Sequence, residues 1–321
     1  MERRRLGGSG LTVSRLGLGT MTWGRDTDEH EARDQLVEFL AAGGSLVDTA
    51  DVYADGMSER ILGRLVAEVG RDEVVIATKA VARPETARRF DASRGHLLRA
   101  LDASLVRLGV EHIDLWQLHS WDPLTPLEET LSAVDHAVRS GRVSYAGISN
   151  YTGWQSAAAA VRQHQVAGAE PLVSNQVEYS LLHRDVEREV VPAAAYGELG
   201  LLPWSPLGRG VLTGKYRHGT PADSRGGSTH FASFVTPYLG ESQRRIVDAV
   251  CTAAEGLGVA PLEVALAWVR DQPGVVAPIV GARTAVQLRG VLSSDDLTLP
   301  EEIRAALDEV SAPGPSGPDR R

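Results

Sequence analysis

The stretch "DEHEARDQLVEFLAAGGSLVDTADVY", residues 28–53, joins two patterns of different period. Its first part opens on acidic residues, carries apolar side chains at helical spacing and closes on Gly43 and Gly44, which predicts a helix with a defined start and stop. Its second part, from Ser45, is a short β-rich apolar run that turns polar at Asp48. The same alternation recurs along the chain. Strand-like runs begin at 14 ("SRLGLG"), 45 ("SLVDT"), 74 ("VVIATK"), 113 ("IDLWQLH"), 143 ("VSYAGIS"), 172 ("LVSNQV"), 201 ("LLPWS") and 275 ("VVAPIV"). Most starts lie about thirty residues apart, the span of one β/α unit, and helical segments such as "SRGHLLRALDASLVRLGV" fill the intervals. Eight such units predict an α/β chain folded as a closed (β/α)8 TIM barrel rather than an open sheet.

Two irregularities refine this reading. The opening "RRRLGGSGLTVSRLG" pairs two short runs around glycines and predicts an N-terminal β-hairpin under the barrel. After the seventh strand the interval more than doubles, and residues 205–240, rich in Gly, Pro, Ser and Thr, predict a long functional loop. Residues 1–312 are expected to form one domain, and the tail "PGPSGPDRR", 313–321, to be disordered.

The bulk composition excludes several function classes. At 43% hydrophobic and 23% charged residues the chain has ample material for a core. Its net charge of −9 comes without a basic stripe, which argues against nucleic acid as a partner. No run approaches the roughly 20 apolar residues of a membrane span, and the start "MERRRLGGSG" lacks the apolar centre of a signal peptide. A cytoplasmic enzyme with no membrane partner is the expectation. The single cysteine, Cys251, permits no internal disulfide and reads as a structural thiol. Of 33 basic residues only Lys79 and Lys215 are lysines. Where Arg is the default, a lysine marks a place for a compact ammonium of tunable pKa.

In a barrel of this kind chemistry collects at the C-terminal strand ends. Those positions hold Asp48 and Tyr53 after the second strand, Lys79 at the third, His119 after the fourth, Ser149 and Asn150 after the fifth and Gln176 at the sixth. A Tyr hydroxyl beside an ammonium becomes a usable proton donor, because the cation stabilises its phenolate. Asp48 would hold Lys79 charged and oriented, and His119 would hydrogen-bond the substrate oxygen. Such a set suits protonation of a developing alkoxide, so it suits carbonyl reduction with a hydride from a nicotinamide. Metal chemistry is not expected: no two of the nine histidines are two residues apart, and His-Glu-x-x-His is missing. Neither Gly-x-Gly-x-x-Gly after a strand nor a Lys four residues after Tyr53, where Met57 stands, supports a Rossmann or short-chain dehydrogenase site.

The motifs "LGLGTMTWG", "VDTADVY", "TK" at 78 and 79, "SLVRLGVEHIDLWQLH", "GISN", "SNQVEYSLLHRDVE", "WSPLGRGVLTGKY" and "PIVGARTAVQL" resemble those of the aldo-keto reductases, bacterial members similar to the potassium channel β-subunit branch included. The resemblance runs from about residue 3 to 310. It implies Tyr53 as general acid with Asp48, Lys79 and His119 as partners, and NADPH as cofactor across the barrel mouth. It assigns Asp48, Ser149, Asn150 and Gln176 to the nicotinamide end, with Trp204 stacked on the ring. Thr20, Met21, Ser205, Pro206, Leu207, Gly208, Gly210, Leu212 and Lys215 are placed along the cofactor, with Arg225 reaching the phosphates. Gly281, Arg283 and Gln287 fall at the adenosine end, where Arg283 would pair with a 2′-phosphate. Gly290 and Val291 depart from the family's acidic residue and Asn at the adenine, which implies fewer hydrogen bonds to adenine and a less strict NADPH preference.

Trp23, Trp121 and Phe234 are candidates for apolar walls of a small carbonyl substrate's site, with Tyr53 and His119 touching the reacting group. The leading reading is an NADPH-dependent aldehyde or ketone reductase. Two alternatives stay open: a cofactor-binding redox sensor like the channel β subunits, and a reductase of a nucleotide-linked keto or enoyl sugar.

Overall fold

In the computed structural model, which describes residues 1–221, 224–228 and 232–313, the opening stretch behaves as its periodicity dictates. Asp28 caps helix α1 (Glu29–Ala41) by accepting from the Glu31 amide, Glu29 and Glu31 complement the first turn, and Gly43 turns the chain at φ 82°. The chain then enters a strand, Leu46–Asp48.

The strands in chain order are β1 (Arg3–Arg5), β2 (Thr12–Ser14), β3 (Gly17–Gly19), β4 (Leu46–Asp48), β5 (Val75–Ala80), β6 (Ile113–Leu118), β7 (Val143–Ser149), β8 (Leu172–Glu178), β9 (Gly200–Trp204) and β10 (Ile279–Val280). β1 and β2 form the antiparallel hairpin, and β3 to β10 close into an eight-stranded parallel barrel in the order of the chain. The helices between and after them are α2 (Met57–Val69), α3 (Arg94–Leu108), α4 (Leu127–Arg139), α5 (Gly153–Gln165), α6 (Val186–Tyr196), α7 (Ala232–Val235), α8 (Glu241–Leu257), α9 (Pro261–Arg270), α10 (Ala285–Leu292) and α11 (Glu301–Val310).

Three boundaries differ from the sequence reading. The run from residue 14 is divided, with Ser14 ending the hairpin and the barrel strand starting only at Gly17. The run from 275 yields a strand only at Ile279–Val280, since Pro278 has no amide to donate and the link at Val275 is an isolated bridge to Leu201. The long interval after β9 is not plain loop. It contains short 3-10 turns at Gly208–Thr213, Arg225–Gly227 and Thr236–Tyr238, besides α7. Most of the tail expected at 313–321 falls outside the described residues.

Two apolar layers hold the barrel. Between strands and helices lies a large cluster including Leu18, Val47, Ile76, Trp116, Ile148 and Trp268. Inside the barrel a smaller one contains Leu46, Ala77, Leu115, Val173, Leu202 and Ile279, with Leu6 and Val13 from the hairpin region joining it. Strand period then decides what lies above that plug. Two residues on from Ala77 comes Lys79, from Leu115 comes Gln117, and from Leu202 comes Trp204, so the upper inward positions are the functional ones.

Helix α2 meets α3 at Gly63, where a Cβ would stand 2.3 Å from the Leu108 carbonyl oxygen. Gly63→Ala therefore has to push two helices apart, and we expect a loss of about 1–3 kcal/mol by denaturant unfolding. An unchanged midpoint would contradict this packing.

Candidate active site

The site begins with the pairing of β4, β5 and β6. Asp48 aligns with Ala77, and Lys79 with Gln117, which brings three polar side chains over the apolar plug. Lys79 is fully buried, and its Nζ donates to Asp48 Oδ2 at 2.5 Å and to the Thr49 carbonyl at 2.8 Å. It also lies 3.4 Å from the Tyr53 hydroxyl and 5.0 Å from the ring centroid. Burial pulls the ammonium's pKa down, but Asp48 and the Tyr53 oxygen outweigh it and hold Lys79 above the ordinary lysine value. The other oxygen of Asp48 accepts from Gln176 Nε2 at 2.8 Å and Gln117 Nε2 at 3.3 Å. The carboxylate is thus compensated on both sides.

Tyr53 opens a short 3-10 turn, and its ring meets His119 edge-on at 6.1 Å between centroids. One expectation is corrected here. Burial raises the phenol above its usual pKa, and Asp48 and Asp51 add to the rise; Lys79 lowers it but does not prevail. In this state Tyr53 holds its proton at neutral pH, which is the form a proton donor needs. His119 is held by its amide on the Ala80 carbonyl at 2.8 Å. Burial, aided by Lys79, pushes the imidazole down to about 3, so at neutral pH it is uncharged.

A cavity of about 630 Å³ lies against these groups. Asp48, Tyr53 and His119 line it, as do Ser149, Asn150, Gln176 and Trp204 at the strand ends. Met21, Ser205, Pro206, Leu207, Gly210 and Lys215 also line it, as do Gly281, Arg283 and Gln287 after β10. The Asn150 and Ser149 side chains are already linked: Asn150 Nδ2 donates to the His119 backbone carbonyl and to Ser149 Oγ, while Ser149 Oγ donates to the Gln176 backbone carbonyl. Trp204 Nε1 donates to Asn150 Oδ1 at 2.9 Å. Gln176 supports Asp48 with its amide nitrogen, which leaves its oxygen for a ligand.

Other assignments are corrected by burial. Trp23 is wholly buried with its indole on Gln35, so it is core and walls no substrate site. Thr20 is buried under the site, bonded to Ser58 and the Asp48 carbonyl, and does not line the cavity. Leu212 and Gly208 are likewise buried behind it. Trp121 does not line it either, and packs edge-on against Tyr151 and Trp154 at 5.3 Å each. Phe234 does line it, nearly parallel to Trp204 at 6.4 Å. The side chain of Arg225 lies outside the described residues. Cys251 is half-buried on α8, with burial raising its thiol pKa, in keeping with a structural role. Among the described residues no group of three His, Cys, Asp or Glu is placed to hold a metal.

The fit of a long anionic ligand can be judged from the loop after β9. A Cβ on Gly210, at φ 92°, would come within 3.4 Å of Lys215 Nζ, so glycine here keeps the ammonium's flank open. After β10, Thr284 caps α10 by accepting from the Gln287 amide, and Gln287 Oε1 accepts from the Arg283 amide. Arg283 therefore stands at a helix N-terminus, where anions are favoured.

Two residues were missed by sequence reasoning. Gln117 braces Asp48 and was hidden inside an apolar strand. Arg209, with φ 59°, donates to both oxygens of Glu178 and to the Phe234 carbonyl, and its guanidinium lies 3.7 Å from the Phe234 ring centroid. It fixes the long loop to the end of β8. A non-glycine residue between Gly208 and Gly210 was the only signal.

The family model described as aldo/keto reductase family matches residues 15–312. The chain is 39% identical to the "Uncharacterized oxidoreductase YrpG" of Bacillus subtilis, over 99% of this chain and 98% of that protein. It is 34% identical to a "Probable voltage-gated potassium channel subunit beta" of Oryza sativa, over 100% and 98% respectively. To the "Aldo-keto reductase YhdN" of Bacillus subtilis it is 30% identical over 99% and 97%.

Proposed function

This chain belongs to the aldo/keto reductase family of oxidoreductases, and on that premise we propose that it is an NADPH-dependent reductase of aldehydes or ketones, with Tyr53 as general acid. The observation that carries the reading is the buried Asp48–Lys79–Tyr53 relay at the wall of the large cavity. In it a protonated phenol faces the cavity with a compact ammonium behind it. NADPH, when bound, supplies a hydride to the carbonyl carbon. The chain's own groups deal with the oxygen: neutral His119 orients it, and Tyr53 passes its proton to the alkoxide. Lys79 stabilises the phenolate left behind, and Asp48, braced by Gln117 and Gln176, keeps Lys79 charged and in place.

The residues present fit a phosphorylated dinucleotide. The apolar face of Trp204 and the polar Asn150, Ser149 and Gln176 suit a nicotinamide, and Lys215 and Arg283 bring positive charge to the cavity wall. Gly290 and Val291, which also line the cavity, offer adenine no side-chain hydrogen bond. Affinity for the phosphate-bearing cofactor then rests on charge. NADPH is expected to bind at least about tenfold more tightly than NADH, one charge-assisted pair being worth roughly 1.5–3 kcal/mol, with the ratio shrinking as salt rises. Calorimetric titration at two ionic strengths is the check, and equal affinities would remove Arg283 from the 2′-phosphate.

The carbonyl substrate is a small molecule, and no single described helix is long and apolar enough to cross a membrane. A screen of diketones, aromatic aldehydes and keto sugars, followed by loss of NADPH absorbance, tests the reading. The redox-sensor alternative keeps one support, the likeness to a protein named as a channel β subunit. Absence of turnover with every carbonyl, despite tight NADPH binding, would favour it.

A further inference from the structure

The turn that carries Arg283 already receives oxygen atoms from the chain itself. Gln287 Oε1 accepts from the Arg283 amide at 3.0 Å, Thr284 Oγ1 accepts from the Gln287 amide at 3.2 Å, and a carboxylate from another helix accepts from the Ala285 amide. That carboxylate is Glu31, in the first turn of α1, whose own amide donates to the cap Asp28 at 2.9 Å. Two further bonds tie the approach to α1 onto this turn: Thr27 Oγ1 donates to the Arg283 carbonyl and Thr22 Oγ1 to the Ala282 carbonyl, each at 3.2 Å. The position of Glu31 is thus fixed by the seating of α1 against α10.

Other acids of α1 are neutralised by arginines, Glu29 by Arg64 at 2.7 Å and Glu38 by Arg289 at 2.8 Å. Glu31 meets a neutral backbone amide instead, so a negative charge stays at the start of α10, two residues from Arg283. The anion that a helix start favours is here a side chain of the protein. Each backbone amide has one proton to donate, so the amides of Arg283, Ala285 and Gln287 are taken. Recognition of a phosphate at this turn then falls to the Arg283 guanidinium.

We propose that Glu31 is a specificity-determining residue: its carboxylate, seated on the Ala285 amide, disfavours a phosphate on the adenosine ribose and so tempers the preference for NADPH over NADH. The inference rests on Arg283 facing the 2′-phosphate, as proposed above. Arg283 and Glu31 bring opposite charges to one turn beside the cavity. A phosphate is drawn by the first and repelled by the second, whereas a ribose bearing only hydroxyls is neutral. Taking one like charge away from a phosphate that carries nearly two, across a solvated gap, is worth about three- to tenfold in affinity.

The test uses adenosine 2′,5′-bisphosphate and adenosine 5′-monophosphate, which differ only in the 2′-phosphate. Calorimetric titration of both gives a ratio of affinities that needs no turnover. Glu31→Gln keeps a side-chain oxygen for the Ala285 amide and loses only the charge. In this variant the ratio is expected to rise about three- to tenfold at low salt, and the rise should shrink below about twofold near ~0.5 M salt. Affinity for the monophosphate should stay within about twofold of the natural chain, since its own phosphate lies away from this turn. Glu31→Ala, which also releases the Ala285 amide, should raise the ratio at least as much. Glu38→Gln removes the same charge from the same helix and should leave the ratio within about twofold. A ratio unmoved by both Glu31 variants, or raised equally by Glu38→Gln, overturns the inference. Arg283→Ala tells the two readings apart. If it alone lowers the ratio, the 2′-phosphate assignment stands without Glu31; if the ratio is unmoved in Arg283→Ala as well, that assignment falls together with the inference.

Discussion

Tyr53→Phe is expected to lower carbonyl reduction by about 10²- to 10⁴-fold, the usual worth of a general acid, while NADPH affinity stays within about twofold. The substitution deletes one hydroxyl and keeps the ring, so the edge-on contact with His119 and the packing over Lys79 survive. What disappears is the only proton-bearing oxygen that both faces the cavity and touches the buried ammonium among the described residues. An interaction made with the alkoxide alone is felt in the transition state and not in cofactor binding, so kcat should fall with little change in the cofactor's Kd. Steady-state rates with fluorescence titration of NADPH measure both. The same logic gives the pH dependence: reduction should not show a loss as pH rises through the ordinary histidine range, because His119 is neutral down to about 3.

Lys79→Arg should be comparably damaging although charge is kept. The ammonium fills a fully buried niche bounded by Asp48 Oδ2 at 2.5 Å, the Thr49 carbonyl at 2.8 Å and the Tyr53 hydroxyl at 3.4 Å. A planar guanidinium is wider and cannot meet three acceptors at those positions without displacing Asp48 from Gln117 and Gln176. Turnover is expected to fall at least about 10²-fold. Lys79→Met should in addition strip a buried carboxylate of its partner, at a cost of about 3–5 kcal/mol in stability. Activity and denaturant midpoints on the two variants separate the catalytic from the structural part. Full activity in Lys79→Arg would mean that the lysine merely neutralises Asp48.

The barrel was legible because strand and helix periods differ, and because each β/α unit repeats at nearly constant length. Asp48, Tyr53, Lys79 and His119 could be found together for the same reason: a closed parallel barrel brings every strand's C-terminal end to one rim. Aromatic residues in loops carried no such rule. Trp23 lies four residues after the first barrel strand, in the loop where a site wall is expected, yet it turns inward to Gln35 and is lost to the core. Leu212 reads like its neighbours in "SPLGRGVLTGKY" but is fully buried and does not line the cavity. Side-chain partnerships between distant loops were invisible. The clamp of Arg209 on Glu178, and the bracing of Asp48 by Gln176 across 128 residues of sequence, depend on register that only the closed barrel fixes.

The central claim is that this cavity reduces carbonyls with Tyr53 supplying the proton, and it is tested most directly in a single turnover. The chain is loaded with one equivalent of NADPH, mixed rapidly with a reactive aromatic aldehyde, and the reduced-nicotinamide absorbance is followed in the natural protein and in Tyr53→Phe. The account predicts stoichiometric formation of alcohol with fast loss of the absorbance in the natural chain, and a decay at least about 10²-fold slower in the variant. Equal decay in both proteins, or a stable absorbance in the natural chain across the whole carbonyl panel, would contradict it.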